Sequence, residues 1–337
     1  MLSFLLFAGS LHIDLERRPA KSGSSPLSPL STMIGTFLNG VCTWLVSQWL
    51  GLGLSFLNCL LFGALIAPTD PIAVLGLLLK AGVPESLETK ICGESLFNDG
   101  VAVVLFIILL EMTRDPAAAT IPHALALFAK EALGGIAYGL VIGWIAYLML
   151  KSIDDDQVEL LITLALVSGG YALADALHIS GPIAIVVAGL LIGNPGRMLA
   201  MSERTRRNLD TFWQLVDEVL NVVLFVLIGM EVLAFSWSRL HLTAGLLFIP
   251  LLLLSRLVSV SVPVALLRPF RRFSPGVIRI LTWGGLRGGI SVAMALSLPP
   301  GPARDTILTA TYIVVVFSIL VHGLTVEKLV RSVADHP

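Results

Sequence analysis

Charge is what this 337-residue chain has least of: Asp, Glu, Lys and Arg together make up 13% of it. A water-soluble domain carries about 25%. Hydrophobic residues reach 56% and the mean hydropathy is +0.89. That deficit excludes an ordinary soluble globular domain. There is no basic tail to hold nucleic acid, and the net charge of −1 points to no charged partner. Alternating ten-residue strands, the mark of a membrane β-barrel, are also missing. Cysteine is scarce: Cys42, Cys59 and Cys92 lie scattered in apolar segments without metal or disulfide spacing, so they read as inert core thiols. His12, His123, His178, His241, His322 and His336 are equally dispersed and show no ligand spacing. The opening MLSFLLFAGSLHIDLERR lacks a basic leader, and its charges follow the apolar stretch, so it does not read as a signal peptide.

What the chain does have is apolar runs of about 20 residues, the length of a membrane-spanning helix. They fall at 1–15, 29–49, 54–80, 91–112, 124–150, 157–177, 179–194, 212–235, 241–267, 277–298 and 305–326. The expectation is an all-α polytopic membrane protein with about eleven spans. The first and the seventh are short. With the N-terminus outside and the spans alternating, the inside loops hold sixteen basic residues: Arg17, Arg18, Lys21, Lys80, Lys90, Lys151, Arg197, Arg204, Arg206, Arg207, Arg268, Arg271, Arg272, Arg279, Lys328 and Arg331. The outside loops hold four, Arg114, Lys130, Arg239 and Arg304. This bias follows the positive-inside rule and puts the C-terminus in the cytoplasm. KSGSSPLSP and TRDPAAATIP read as ordinary loops, and no linker marks a second soluble domain. Residues 1–337 are expected to form a single membrane transporter domain without a soluble regulatory domain. Asp154, Asp155 and Asp156 read as a solvated loop or helix start.

Two carboxylates break the apolar pattern. Asp70 sits in LLFGALIAPTDPIAVLGLLL and Asp99 in GESLFNDGVAVVLFIILL. An ionised Asp at mid-membrane costs about 2.5–3.5 kcal/mol even on insertion scales. In Ala67-Pro68-Thr69-Asp70-Pro71 the prolines argue against a continuous helix. The stretch reads as two half-helices, with Asp70 capping the second and Pro71 as its first residue. Such a break frees backbone carbonyls that can ligate a cation, as broken helices do in transporters. At 100° per residue, Glu94, Ser95, Asn98 and Asp99 share an arc of about 140° on one helix face. Oxygen ligands on one face suit a hard monovalent cation. In Trp283-Gly284-Gly285-Leu286-Arg287-Gly288-Gly289, four glycines around an intramembrane arginine point to another unwound or closely packed span. Arg287 needs an anion, and Glu94 is the natural candidate. Arg256 could pair with Glu231 or Asp217, and the sequence does not choose.

These motifs resemble a known family. APTDP, then GESLFNDG with its aspartate 29 residues after Asp70, then WGGLRGGISVAMALSLP resemble the NhaP-type sodium/proton antiporters, bacterial relatives of the animal sodium/hydrogen exchangers. FAGSLHIDL and FWQLVDEVLNVVLFVLIGMEV are similar to that family as well. The resemblance implies an inverted-repeat fold with two crossed discontinuous helices, a dimerisation domain and a mobile core domain. It implies ion ligands at Thr69, Asp70, Ser95 and Asp99, with Asn98 as polar partner and Glu94–Arg287 as a structural ion pair. The Asn98-Asp99 order resembles the electroneutral branch, one sodium for one proton. A homodimer in a bacterial inner (plasma) membrane, with no cofactor, is the corresponding expectation. The family carries two more spans than this chain. That pair would precede Met1, so the chain is expected to be N-terminally truncated relative to it. Some members place a glutamate ligand where this chain has Ala8, and that ligand does not carry over.

The function expected from these residues is sodium (or lithium)/proton antiport by alternating access. A potassium/proton antiporter or a sodium-coupled symporter of the same fold is the alternative. An intramembrane aspartyl protease also uses two aspartates. Its usual contexts are Tyr-Asp and Gly-x-Gly-Asp, whereas here they are Thr-Asp-Pro and Asn-Asp-Gly. The chain is therefore not read as an enzyme.

Overall fold

The computed structural model describes residues 2–11, 27–69, 85–114, 120–153, 155–196, 201–234, 239–269 and 276–334. Among them every regular element is helical, as a chain in lipid requires, because helices satisfy their backbone hydrogen bonds within the segment. Five helices are long and apolar enough to cross a membrane: Leu30–Leu50, Leu125–Ser152, Asp156–Ala176, Arg239–Leu266 and Pro302–Leu329. The chain divides into two compact units.

The first unit comprises Met1–Pro19 and Ala119–Phe225. It contains α1 (Leu2–Leu11), α5 (Ile121–Ser152), α6 (Asp156–Ala176), α7 (Gly181–Leu191) and α8 (Glu203–Ala234) as far as Phe225. The short seventh segment is α7, extended by a π-helical turn over Ile192–Gly196. Of the three consecutive aspartates, Asp155 caps α6 by accepting from the amides of Gln157 at 2.9 Å and Val158 at 3.1 Å. Asp156 ties α6 to the start of α8 through Arg204 Nε at 2.9 Å and Asn208 Nδ2 at 2.8 Å. The helix start read from the sequence is thus what forms. Phe7, Leu11, Leu150, Val167, Ile185 and Trp213 are buried together in the core. The rings of Phe7 and Trp213 lie 4.6 Å apart, and Trp213 Nε1 donates to Thr163 Oγ1 at 3.1 Å. Helices α5 and α7 approach closely where small residues allow it. A Cβ on Gly139 would stand 2.5 Å from the carbonyl oxygen of Ala184.

The second unit comprises Ala20–Ala118 and Val226–Pro337. It contains two helix triplets of the same order, long, interrupted, long. One is α2 (Leu27–Leu50), α3 (Phe56–Leu65) and α4 (Glu85–Arg114). The other is α9 (Arg239–Leu267), the pair α10 (Val277–Trp283) and α11 (Gly289–Leu296), and α12 (Pro302–Phe317). A π-helical turn over Ser318–His322 continues α12 into α13 (Gly323–Ala334). Helix α2 packs on α3, α4 and α9; α12 packs on α9 and α11; α11 also meets α3 and α4. At the α2–α3 crossing, a Cβ on Gly63 would drive into the Thr36 carbonyl.

Both interruptions lie where the sequence put them. α3 starts on Ser55, whose Oγ accepts from the Asn58 amide at 3.2 Å, and ends at Ile66. Ala67, Pro68 and Thr69 follow as non-helical chain. The second half-helix expected from the sequence, with Asp70 and Pro71, falls on residues outside the described ones. In the tenth segment Gly284–Gly288 separates α10 from α11.

Candidate ion-binding site

The α3 break brings the sequence-predicted residues together. The Thr69 backbone amide donates to Asp99 Oδ1 at 3.1 Å. Asn98 Nδ2 donates to Thr69 Oγ1 at 3.3 Å. These contacts join residues 30 and 29 positions apart, so the break in one helix is read directly by the carboxylate and amide of another. Thr69, Asn98 and Asp99 are all buried, Asn98 completely. Thr32 of α2 donates its hydroxyl to Asn98 Oδ1. That bond fixes the amide, so its NH2 group points at Thr69.

Thr32 was not picked out from the sequence. Its signal was there: Ser31, Thr32, Thr36, Asn39, Thr43 and Ser47 recur at helical spacing along α2 and are all buried. A polar stripe that faces protein inside a membrane span marks a functional interior.

Arg287 comes to the same place from the other broken helix. Its Nη1 donates to the carbonyl oxygens of Ala67 at 2.6 Å and Pro68 at 3.0 Å, and its backbone amide donates to Ser318 Oγ at 2.8 Å. The last carbonyls of an interrupted helix have no intrahelical partner and carry the negative end of its dipole. A buried guanidinium satisfies both needs. The sequence reading assigned Arg287 to Glu94. The described bonds run to main-chain oxygens, and the side chains of Glu94 and Ser95 lie outside the described residues, as does Asp70 as a whole. Arg256 is also buried; its Nε reaches the Leu281 carbonyl at 3.4 Å. Of the two acids considered for it, Asp217 accepts from Asn221 Nδ2 at 3.2 Å, and the Glu231 side chain is outside the described residues.

The arrangement offers carboxylate and hydroxyl oxygens at a helix break, with a fixed positive charge beside them. Such oxygens are the donor set of a hard cation. No group of three or more His, Cys, Asp or Glu suited to a resident transition metal occurs among the described residues. Cys42 and Cys59 are free thiols.

Residues 1–332 match the transmembrane sodium/hydrogen exchanger family. The chain belongs to that family. Among exchanger relatives, it is 51% identical over 337 residues to the Na(+)/H(+) antiporter NhaP of Pseudomonas aeruginosa, covering 98% of this chain and 80% of that protein. It is 36% identical over 307 residues to the Na(+)/H(+) antiporter NhaH of Halobacillus dabanensis, covering 89% of this chain and 74% of that one. In fold it is similar to the sodium proton antiporter MjNhaP1 from Methanocaldococcus jannaschii, with a TM-score of 0.80, 20% identity, and coverage of 98% and 84%. That likeness shows the inverted-repeat antiporter fold, in which the exchanger's two interrupted helices meet through Arg287.

Proposed function

We propose that this exchanger carries sodium or lithium in one direction and protons in the other, one for one, with both competing for Asp99. The observation that carries the reading is the buried Asp99 carboxylate held on the Thr69 amide at the α3 break, with Asn98 on the Thr69 hydroxyl. Asp99 takes a proton or a cation in turn. Either loaded form is close to neutral. The empty anion costs about 2.5–3.5 kcal/mol or more to hold in an apolar span, which blocks the unloaded return and enforces exchange. Thr69, Asp70 and Ser95 complete the ligand shell, with Asn98 as their polar partner. Arg287 keeps the broken end of α3 in place, and Glu94 takes part of the guanidinium donors that the two carbonyls leave over. The working form is a homodimer in the bacterial plasma membrane, with its C-terminus in the cytoplasm.

The test is dissipation of a pH gradient in proteoliposomes. Sodium and lithium are expected to collapse the gradient and potassium is not. Asp99→Asn is expected to abolish the effect. Wild-type exchange by that variant overturns the assignment. Collapse by potassium alone identifies a potassium/proton antiporter, and sodium uptake without proton movement identifies a symporter.

A further inference from the structure

His322 is a buried polar side chain for which the cation site has no evident use. It closes the π-helical turn Ser318–His322, four residues beyond the serine that accepts the Arg287 amide. The residue is 5% exposed. Its ring lies 4.6 Å from that of Trp283 and 5.3 Å, edge-on, from that of Phe317. Trp283 Nε1 already donates to Thr325 Oγ1 at 2.8 Å, so it does not serve the imidazole. Among the described residues, neither Nδ1 nor Nε2 of His322 has a hydrogen-bond partner. Buried polar atoms in native proteins are bonded to protein or to ordered water.

The ring borders a cavity of about 20 Å³ that Arg256, Thr282, Arg287 and Ser318 also line. Thr282 Oγ1 likewise has no partner among the described residues. About 10–15 Å³ of such space admits one water, provided the walls offer polar partners. Here they offer two guanidinium groups, two hydroxyls and an imidazole. We infer that this cavity holds one ordered water bonded to His322, and that His322 acts through it as a positioning residue for Arg287. Guanidinium is donor-only, so it needs an acceptor; water supplies one and passes a hydrogen on to the acceptor nitrogen of a neutral imidazole. Removing that acceptor frees the guanidinium to turn away from Ala67 and Pro68. Asp99, Thr69 and Asn98 are left untouched. The inference rests on the proposed cation site, whose edge those two carbonyls form.

The test compares sodium dependence of exchange in proteoliposomes for wild type, His322→Phe and His322→Gln. His322→Phe keeps the aromatic stack and removes both nitrogens. It is expected to raise the sodium concentration for half-maximal exchange roughly tenfold, the loss of one hydrogen bond to a charged group, with a maximal rate within about threefold. His322→Gln retains an acceptor and is expected to stay within about threefold of wild type in both. A Phe variant equal to wild type, or a Gln variant as impaired as Phe, overturns the inference. A second readout is independent of transport: an experimental density map of the wild-type exchanger is expected to show ordered solvent within hydrogen-bond reach of the His322 ring, and a dry cavity overturns the inference. If wild-type vesicles exchange no cation, the transport reading fails, and the map still decides this one.

Discussion

The two units use polar groups in different ways. In the first, α5 and α6 run unbroken for 32 and 21 residues, and polar side chains such as Asp155, Asp156 and Thr163 tie helix ends and neighbours together. In the second, the backbone itself is interrupted twice, after Leu65 and at Gly284–Gly288; groups freed after Leu65 are answered by Asp99 and Arg287, and the freed Arg287 amide by Ser318. An unbroken helix satisfies its own main chain and offers nothing to a passing ion. An interrupted one exposes donors and acceptors that lipid cannot serve, so polar or charged side chains must answer them. Chemistry is expected only where the backbone hydrogen-bond ladder is given up.

Substitutions matched across the units test that contrast. The largest difference is expected between Asp99→Asn and Asp156→Asn. The first is expected to reduce exchange at least about 100-fold, since a neutral amide cannot trade a proton for a cation. The second is expected to leave exchange near wild type and lower stability by about 1 kcal/mol, the scale of a partly exposed hydrogen-bonded pair, read as a lower melting temperature of the purified protein. If both variants lose transport, the contrast fails. Next comes Arg287→Gln. It removes the charge from two buried carbonyls and is expected to destabilise by about 2–4 kcal/mol while also cutting the exchange rate. An unchanged melting temperature would show that the Ala67 and Pro68 oxygens find other partners. Gly63→Ala and Gly139→Ala form a gentler pair. Each overpacks a helix crossing and is expected to cost about 1–3 kcal/mol. Only the first, at the α2–α3 crossing, is expected to slow exchange, which vesicle assays measure directly. The smallest effect is expected for Trp213→Phe. It deletes the indole donor to Thr163, costs about 1 kcal/mol in a melting experiment, and leaves the sodium dependence unmoved.

Much of this was legible in the residues. Proline beside a carboxylate at 67–71 and four glycines around Arg287 are conspicuous in spans that otherwise read as uniform apolar helix, and α3 and α10 end where those motifs begin. The adjacency of Asn98 and Asp99 fixed their common face, and both reach Thr69. What could not be read is which element crosses that face. The Arg287 guanidinium and the Ala67 carbonyl are 220 residues apart, and a carbonyl acceptor exists at every position, so nothing in the sequence singles one out. An acidic side chain such as Glu94 stands out in an apolar span, whereas a carbonyl does not. Thr32 does not stand out within its stripe, because a threonine in a membrane helix usually bonds its own backbone, as Thr43 does to the Asn39 carbonyl. His322 was passed over because six scattered histidines form no pattern, and only its enclosure by Trp283 and Phe317 sets it apart.

A clamp that grips main-chain oxygen is indifferent to which side chains stand at positions 67 and 68. Replacing either of those residues leaves its acceptor in being, so a defect at residue 287 has no suppressor there that works by supplying a new partner. Tuning of this crossing, by selection or by design, is therefore concentrated on the cationic side of the contact and on whatever steers it.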